Sequence, residues 1–281
     1  MAMKYENEHF TGERALFMSS GLTILNCLFD DGESPLKESK DFAVSDSTFA
    51  WKYPMWYSHD FTINNCKATI DARAGIWYSH DFEIRKLDSV APKMFRKCHN
   101  FVIEDSKIEG AAETCWWCSD FTIKNMTITG ADYFAMKSRN IKIENVQFQG
   151  KYAFDGCENV TVKNCKMDTK DVFWNCKNVT IENCVIDTEY FGWNSENITL
   201  IDCEIRSHQG FCYMKNVKLI RCKLIDTDLS FEYCENIDAE ILSEVDSIKN
   251  PISGRIKALG VKELIYDDPN IDRNKTEIIL G

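Results

Sequence analysis

Trp56, Trp77, Trp116, Trp174 and Trp193, five of the seven tryptophans in the chain, recur at one position of an approximate repeat, and Arg96 holds that position where a tryptophan is missing. Flat aromatic faces at regular spacing suit sugar rings, and an arginine among them can meet hydroxyl groups. Acids accompany the stripe. Asp132, Asp171 and Glu189 stand three or four positions before it in their repeats, and Asp155 stands within it. Two carboxyls about 5 to 5.5 Å apart, one protonated and one ionised, are the equipment of retaining glycosidic-bond cleavage. Stacked strands bring side chains to about 4.8 Å in any case, so the spacing suits a catalytic pair and a solvated acidic face equally.

Two other groups could carry chemistry. His59, His80 and His99, three of the five histidines, occupy one position of consecutive repeats and could share a divalent metal. A ladder spaced at about 4.8 Å brings two imidazoles onto one ion more easily than three, so a solvated ladder at a turn is the simpler expectation. Neither a metal nor a cofactor is assigned. Cys115 and Cys118 have CxxC spacing, but no second such pair exists to complete a zinc site.

These residues must be positioned by the repeat itself. Anchors fall at Gly21, Asp41, Asp60, Asp81, Asn100, Asp120, Asn140, Asn159, Asn178, Asn197, Asn216 and Asn236, at intervals of 19 to 21 residues. Segments such as CENVTVKNCKM and CKNVTIENCVI show an apolar period of two, the mark of strands. A unit of this length with several short strands and no helical stripe cannot bury its apolar side alone, so units stack. The expected fold is all-β, a parallel β-helix (solenoid) of about 12 rungs over residues 19–242, in a single domain spanning 1–281. Residues 1–18 and 243–281 lose the motif; the first read as an N-terminal cap, the second as a C-terminal cap or, given the strand-like runs in 249–268, an irregular last rung and a tail.

The columns of the repeat support this. Phe42, Phe61, Phe82, Phe101 and Phe121 follow the anchor by one position and form a core ladder. Arg139, Glu158, Lys177, Glu196, Lys215 and Glu235 precede it and alternate in sign, as in-register stacking favours. The anchors, and Asn26, Asn65, Asn125, Asn145, Asn164 and Asn183 five positions later, are residue types that tolerate left-handed backbone at corners. The cysteines gather in two further columns shared with Ser, Leu, Val and Met, which calls for a small buried residue.

Composition excludes some partners. The net charge of −11 disfavours a sequence-independent grip on phosphate backbones, so nucleic acid is not expected. No apolar run approaches membrane-spanning length and the first residues lack a signal-peptide apolar core, so neither a membrane nor export is expected. With 13 cysteines, an odd number, the chain reads as cytoplasmic with reduced thiols.

The stacked N-hydrophobic-T-I-x-N-C rungs, with GERALF (12–17), DGESPLKES (31–39) and NPISGRIKA (250–258), resemble a bacterial family of unknown function in the pectin-lyase-like, single-stranded right-handed β-helix superfamily. The resemblance spans nearly the whole chain and implies a right-handed β-helix. Enzymes of that superfamily cut or modify polysaccharides with Asp, Arg or Lys, sometimes with calcium, along one outer face. Their catalytic motifs have no residue-by-residue match here, so no reaction carries over. Bacterial leucine-rich repeats have similar periods, but these units keep strand patterning on more than one side. Two functions remain open. One is a carbohydrate-binding or carbohydrate-active protein, with Trp56, Trp77, Arg96, Trp116, Trp174 and Trp193 as ligand contacts and Asp132, Asp155, Asp171 and Glu189 as catalytic candidates. The other is a non-catalytic scaffold that meets a protein partner through the same stripe.

Overall fold

The computed structural model describes residues 3–281. The chain is all-β, a parallel β-solenoid of about 15 turns, and helix among the described residues is confined to one short 3-10 turn at Arg273–Lys275. The turn count exceeds the expected 12 because three strands lie outside the recognisable motif. Met3–Glu6 pairs in parallel with residues 22–25, Gly254–Ile265 with residues from Ile237 onward, and Thr276–Leu280 with residues 254–258. What these turns lose is the Asn/Cys signature; the backbone pairing continues. No helix among the described residues is long and apolar enough to cross a membrane.

The chain forms two compact units, Met1–Gln147 and Phe148–Gly281. In the first, the strands His59–Asn64, His80–Arg85 and His99–Glu104 stack in register, so that Phe61, Phe82 and Phe101 align, as do Ile63, Ile84 and Ile103. The Phe ladder runs from Phe42 to Phe121 with successive ring centroids 4.8 Å apart and planes within 8°. In the second unit Val160, Val179, Ile198, Val217 and Ile237 form the corresponding column, all buried.

Corner chemistry sets the register. Every anchor has positive φ, from +51° at Asp41 to +69° at Gly21. Asn and Asp accept this conformation at lower cost than other side chains. They also bond along the stack: the Asn178 amide donates to Asn159 at 2.9 Å, Asn197 to Asn178 at 2.9 Å and Asn216 to Asn197 at 2.7 Å. The column two before the anchor requires more than small size. Ser58 and Ser195 hydroxyls donate to the carbonyls of Leu36 and Phe173, both at 2.7 Å, and the Cys98 and Cys176 thiols donate likewise to Ile76 and Phe154. A buried corner carbonyl needs a donor, and Ser and Cys interchange because both supply one. All 13 cysteines are buried free thiols, and burial pushes those of Cys176 and Cys234 well up, away from the reactive thiolate.

Candidate functional site

The aromatic register is built differently in the two units. In the first, Trp56 and Trp77 stack face to face at 5.0 Å and 5°. The Arg96 guanidinium then lies 4.4 Å from the Trp77 ring and 4.7 Å from the Trp116 ring, a plate between two plates. Its terminal nitrogen reaches Glu113 at 3.0 Å, which also pairs with Lys93 at 3.1 Å. The indole N–H groups are engaged as well: Trp56 donates to Ala74 O at 2.7 Å, Trp77 to Lys93 O at 2.8 Å, and Trp116 to Tyr133 O. The ring faces and indole N–H groups of this column are therefore engaged within the unit, while the buried Arg96 Nε has no hydrogen-bond partner, and the stack makes the column a brace between turns. Arg96→Ala should lower the urea-unfolding free energy of the protein by about 2 kcal/mol, since two desolvated cation–π contacts are lost while Glu113 keeps Lys93. Arg96→Lys should recover less than half, because an ammonium is not a plate; full recovery would mean that charge alone matters.

In the second unit the same register opens. Trp174 and Trp193 lie 6.0 Å apart and tilted by 38°, Tyr152 meets Trp174 edge-on at 6.3 Å, and Trp193 meets Tyr213 at 4.9 Å and 49°. Gly192, at φ +73°, leaves the space that Met214 occupies; a Cβ there would stand 2.7 Å from Met214 Cε. The rings are half-buried, and Tyr213 is exposed. The Trp174 Nε1 has no partner although the atom is buried.

Three residues earlier stands Asp171, on the far side of the buried pair Val172–Phe173. It falls on the buried alternation of the strand Lys166–Val172, after Met167 and Thr169, and is only 2% exposed. Its Oδ1 has no hydrogen-bond partner. Burial, with Glu189 nearby, pushes its carboxyl up to about 6, against the pull of Lys170 and a hydrogen bond from the Tyr190 amide. A buried polar atom without a partner calls for an explanation in water, ligand or catalysis. Around it the charges are matched: Lys170 lies 3.7 Å from Glu189, and Asn175 donates to Asp155 at 2.8 Å. Asp171 aligns in register with Tyr190, then Gln209, then Asp228, which pairs with His208 at 3.1 Å.

Of the expected residues, the structure thus groups Asp155, Asp171, Trp174, Glu189 and Trp193 in the second unit. Trp56, Trp77, Arg96 and Trp116 form the brace of the first, where Asp132 is half-buried. Tyr152, Lys170 and Tyr190 were not among them. Tyr190 is legible in the sequence only as the register partner of Asp171. The imidazoles of His59, His80 and His99 stack at 4.8 and 4.6 Å, with Nδ1 of His59 and His80 each 2.7 Å from Asp60 and Asp81. Bonds from His80 and Asn100 hold the Asp81 carboxyl low. Among the described residues no group of three or more His, Cys, Asp or Glu side chains is placed to hold a metal ion.

Fold and site together define an all-β, parallel β-solenoid protein carrying an aromatic and acidic ladder. The chain belongs to the family described as protein of unknown function (DUF3737), which it matches over residues 3–279. No curated protein sequence matches it. Solved structures similar in fold include the surface protein and adhesin PfbA of Streptococcus pneumoniae, at 12% identity and a TM-score of 0.42, covering 99% of this chain and 91% of that one. The A-module of the mannuronan C-5 epimerase AlgE4 of Azotobacter vinelandii matches at 9% identity and a TM-score of 0.35, with 100% and 87% coverage. The catalytic domain of a GH87 α-1,3-glucanase in complex with nigerose matches at 10% and 0.39, with 98% and 63%.

Proposed function

We propose that the second unit binds an oligosaccharide along Trp174, Trp193, Tyr152 and Tyr190, with Asp171 as the acid beneath the first contact. The observation that carries this reading is the buried, unpartnered Asp171 oxygen next to a tryptophan whose N–H is also unpartnered. Amphipathic rings with an acceptor and a donor among them suit a ring that is apolar on its faces and hydroxylated at its edge. Asp171 also meets one condition for acid–base chemistry on a glycosidic bond, in that burial raises the carboxyl of an acid that has a second acid, Glu189, nearby.

The test is a thermal-shift screen against oligosaccharides, followed by a fluorescence titration of any hit. A ligand at about 100 times its Kd adds about 2.7 kcal/mol to stability. The shift should vanish in Trp174→Ala and survive in Trp56→Ala, whose ring belongs to the brace. A flat screen over neutral, acidic and amino glycans sinks the reading, as does a shift that Trp56→Ala removes and Trp174→Ala retains.

A further inference from the structure

One position after Trp56 and Trp77 runs a column that brings its side chains to the surface. Met18, Glu38, Tyr57, Tyr78, Lys97 and Trp117 occupy successive turns of the first unit. They stand in one register, the amide of each of the first five donating to the carbonyl just before the next member at 2.8 to 3.0 Å. Met18 is 65% exposed, Tyr57 48% and Trp117 43%, and Glu38 and Lys97 are exposed as well. At the middle of this ridge the Tyr57 and Tyr78 rings stack at 4.8 Å and 6°.

The ridge is costly to build. All six residues take left-handed backbone, with φ from +51° at Lys97 to +58° at Glu38 and Tyr57. Gly adopts this conformation freely and Asn at reduced cost. In the second unit three residues of this column, Gly156, Asn175 and Asn194, are of those types, and Tyr213 and Tyr233 follow them. In the first unit none of the six is. Local strain of this kind collects at functional sites, and exposed apolar side chains in a row mark contact with another chain.

The order of the column identifies the partner. Laid against its own reverse, it sets Met18 opposite Trp117, Glu38 opposite Lys97, and Tyr57 opposite Tyr78. Apolar meets apolar and acid meets base, and each pairing occurs twice about a two-fold axis, as a self-complementary contact requires. Within one copy both charges are loosely held: Glu38 lies 3.7 Å from Lys37, and the Lys97 ammonium lies 5.4 Å from the Tyr78 ring centroid. We infer that the first unit forms a two-fold dimer with a second copy of this chain along this ridge, the axis passing between Tyr57 and Tyr78. Lys137, the next member of the column, lies beyond the last pair. The ridge shares no residue with the proposed oligosaccharide contacts, so the dimer and the carbohydrate reading stand or fall separately.

Sedimentation equilibrium of the full chain from about 5 to about 200 μM tests this, a range chosen because contacts at the small end of the size scale are weak. The unaltered protein should approach twice its monomer mass across that range. Glu38→Lys alone and Lys97→Glu alone each set like charges opposite one another, and each should weaken association by about tenfold or more. Mixed in equal amounts, the two variants should recover it, because each copy then meets its complement. Both positions are exposed, and melting curves confirm that the variants fold. A monomer at every concentration overturns the inference. So does a dimer that both single variants leave unchanged, and so does one that they abolish and their mixture does not restore.

Discussion

Phe82→Ala should lower the stability of the protein by about 3 to 5 kcal/mol in urea denaturation. Phe82 is 3% exposed and stands in the interior of the ladder, 4.8 Å from Phe61 on one side and 4.8 Å from Phe101 on the other, with Phe95 at 6.3 Å. Truncation removes the transfer free energy of a buried ring and leaves a cavity. Its two stacked neighbours each lose a contact worth about 0.5 to 1.5 kcal/mol beyond area. Strands above and below are fixed by hydrogen bonds about 4.8 Å apart, so collapse cannot close the gap along the stack.

The stacking geometry also shapes how the loss is seen. Stability in a solenoid is a sum of turn and nearest-neighbour terms, so a gap within the ladder weakens coupling between the turns on either side of it. A broader unfolding transition should accompany the lower midpoint. Phe82→Leu, which restores most of the volume, should lose less than about 1.5 kcal/mol. A loss below about 1 kcal/mol for Phe82→Ala would show that the ring is not part of a continuous core.

Register was legible because a stacked repeat repeats its errors as well as its rules. The anchors, written as Asn, Asp and one Gly, all take left-handed backbone, and Phe42 to Phe121 align turn upon turn. The sign-alternating column aligns too: Lys177 is the register partner of Glu158 and Glu196, and Lys215 closes on Glu235 at 3.8 Å. The terminal turns were legible only in part, as the strand-like runs of residues 249–268. Backbone pairing at Thr276–Leu280 asks only for extended residues and leaves no Asn or Cys signature. The aromatic column was half legible. Sequence places Trp77 and Trp174 at equivalent positions, but whether a ring is braced or open depends on the next turn, which supplies Arg96 in one case and Gly192–Trp193 in the other. Charge and spacing leave Asp171 open as a catalytic acid or part of a solvated face. Its parity with Met167 and Thr169 already placed it on the buried side of the strand, a signal that pattern reading discounts when the residue is charged.

That burial has a pH signature, and Asp171→Asn should expose it: the variant should be more stable than the unaltered protein by about 1 to 3 kcal/mol at pH 7.5, with the difference shrinking toward zero near pH 4. The carboxyl ionises near 3.8 when unfolded and near 6 when folded. Below about pH 4 it is protonated in both states and its burial carries no charge penalty. As pH rises toward 6 the unfolded chain releases this proton first, so the unfolded state gains and stability falls; above about 6 the penalty is constant. One pKa unit corresponds to about 1.36 kcal/mol, which puts the full penalty near 3 kcal/mol. The amide brings donors of its own that need partners, hence the lower end of the range. A residue kept at the expense of stability is kept for what its charge does. If the gain at pH 7.5 appears together with weakened oligosaccharide binding, stability and function oppose each other at a single carboxyl. If the difference between the two proteins does not change with pH, Asp171 is held in its buried place by packing alone, and the site loses its acid.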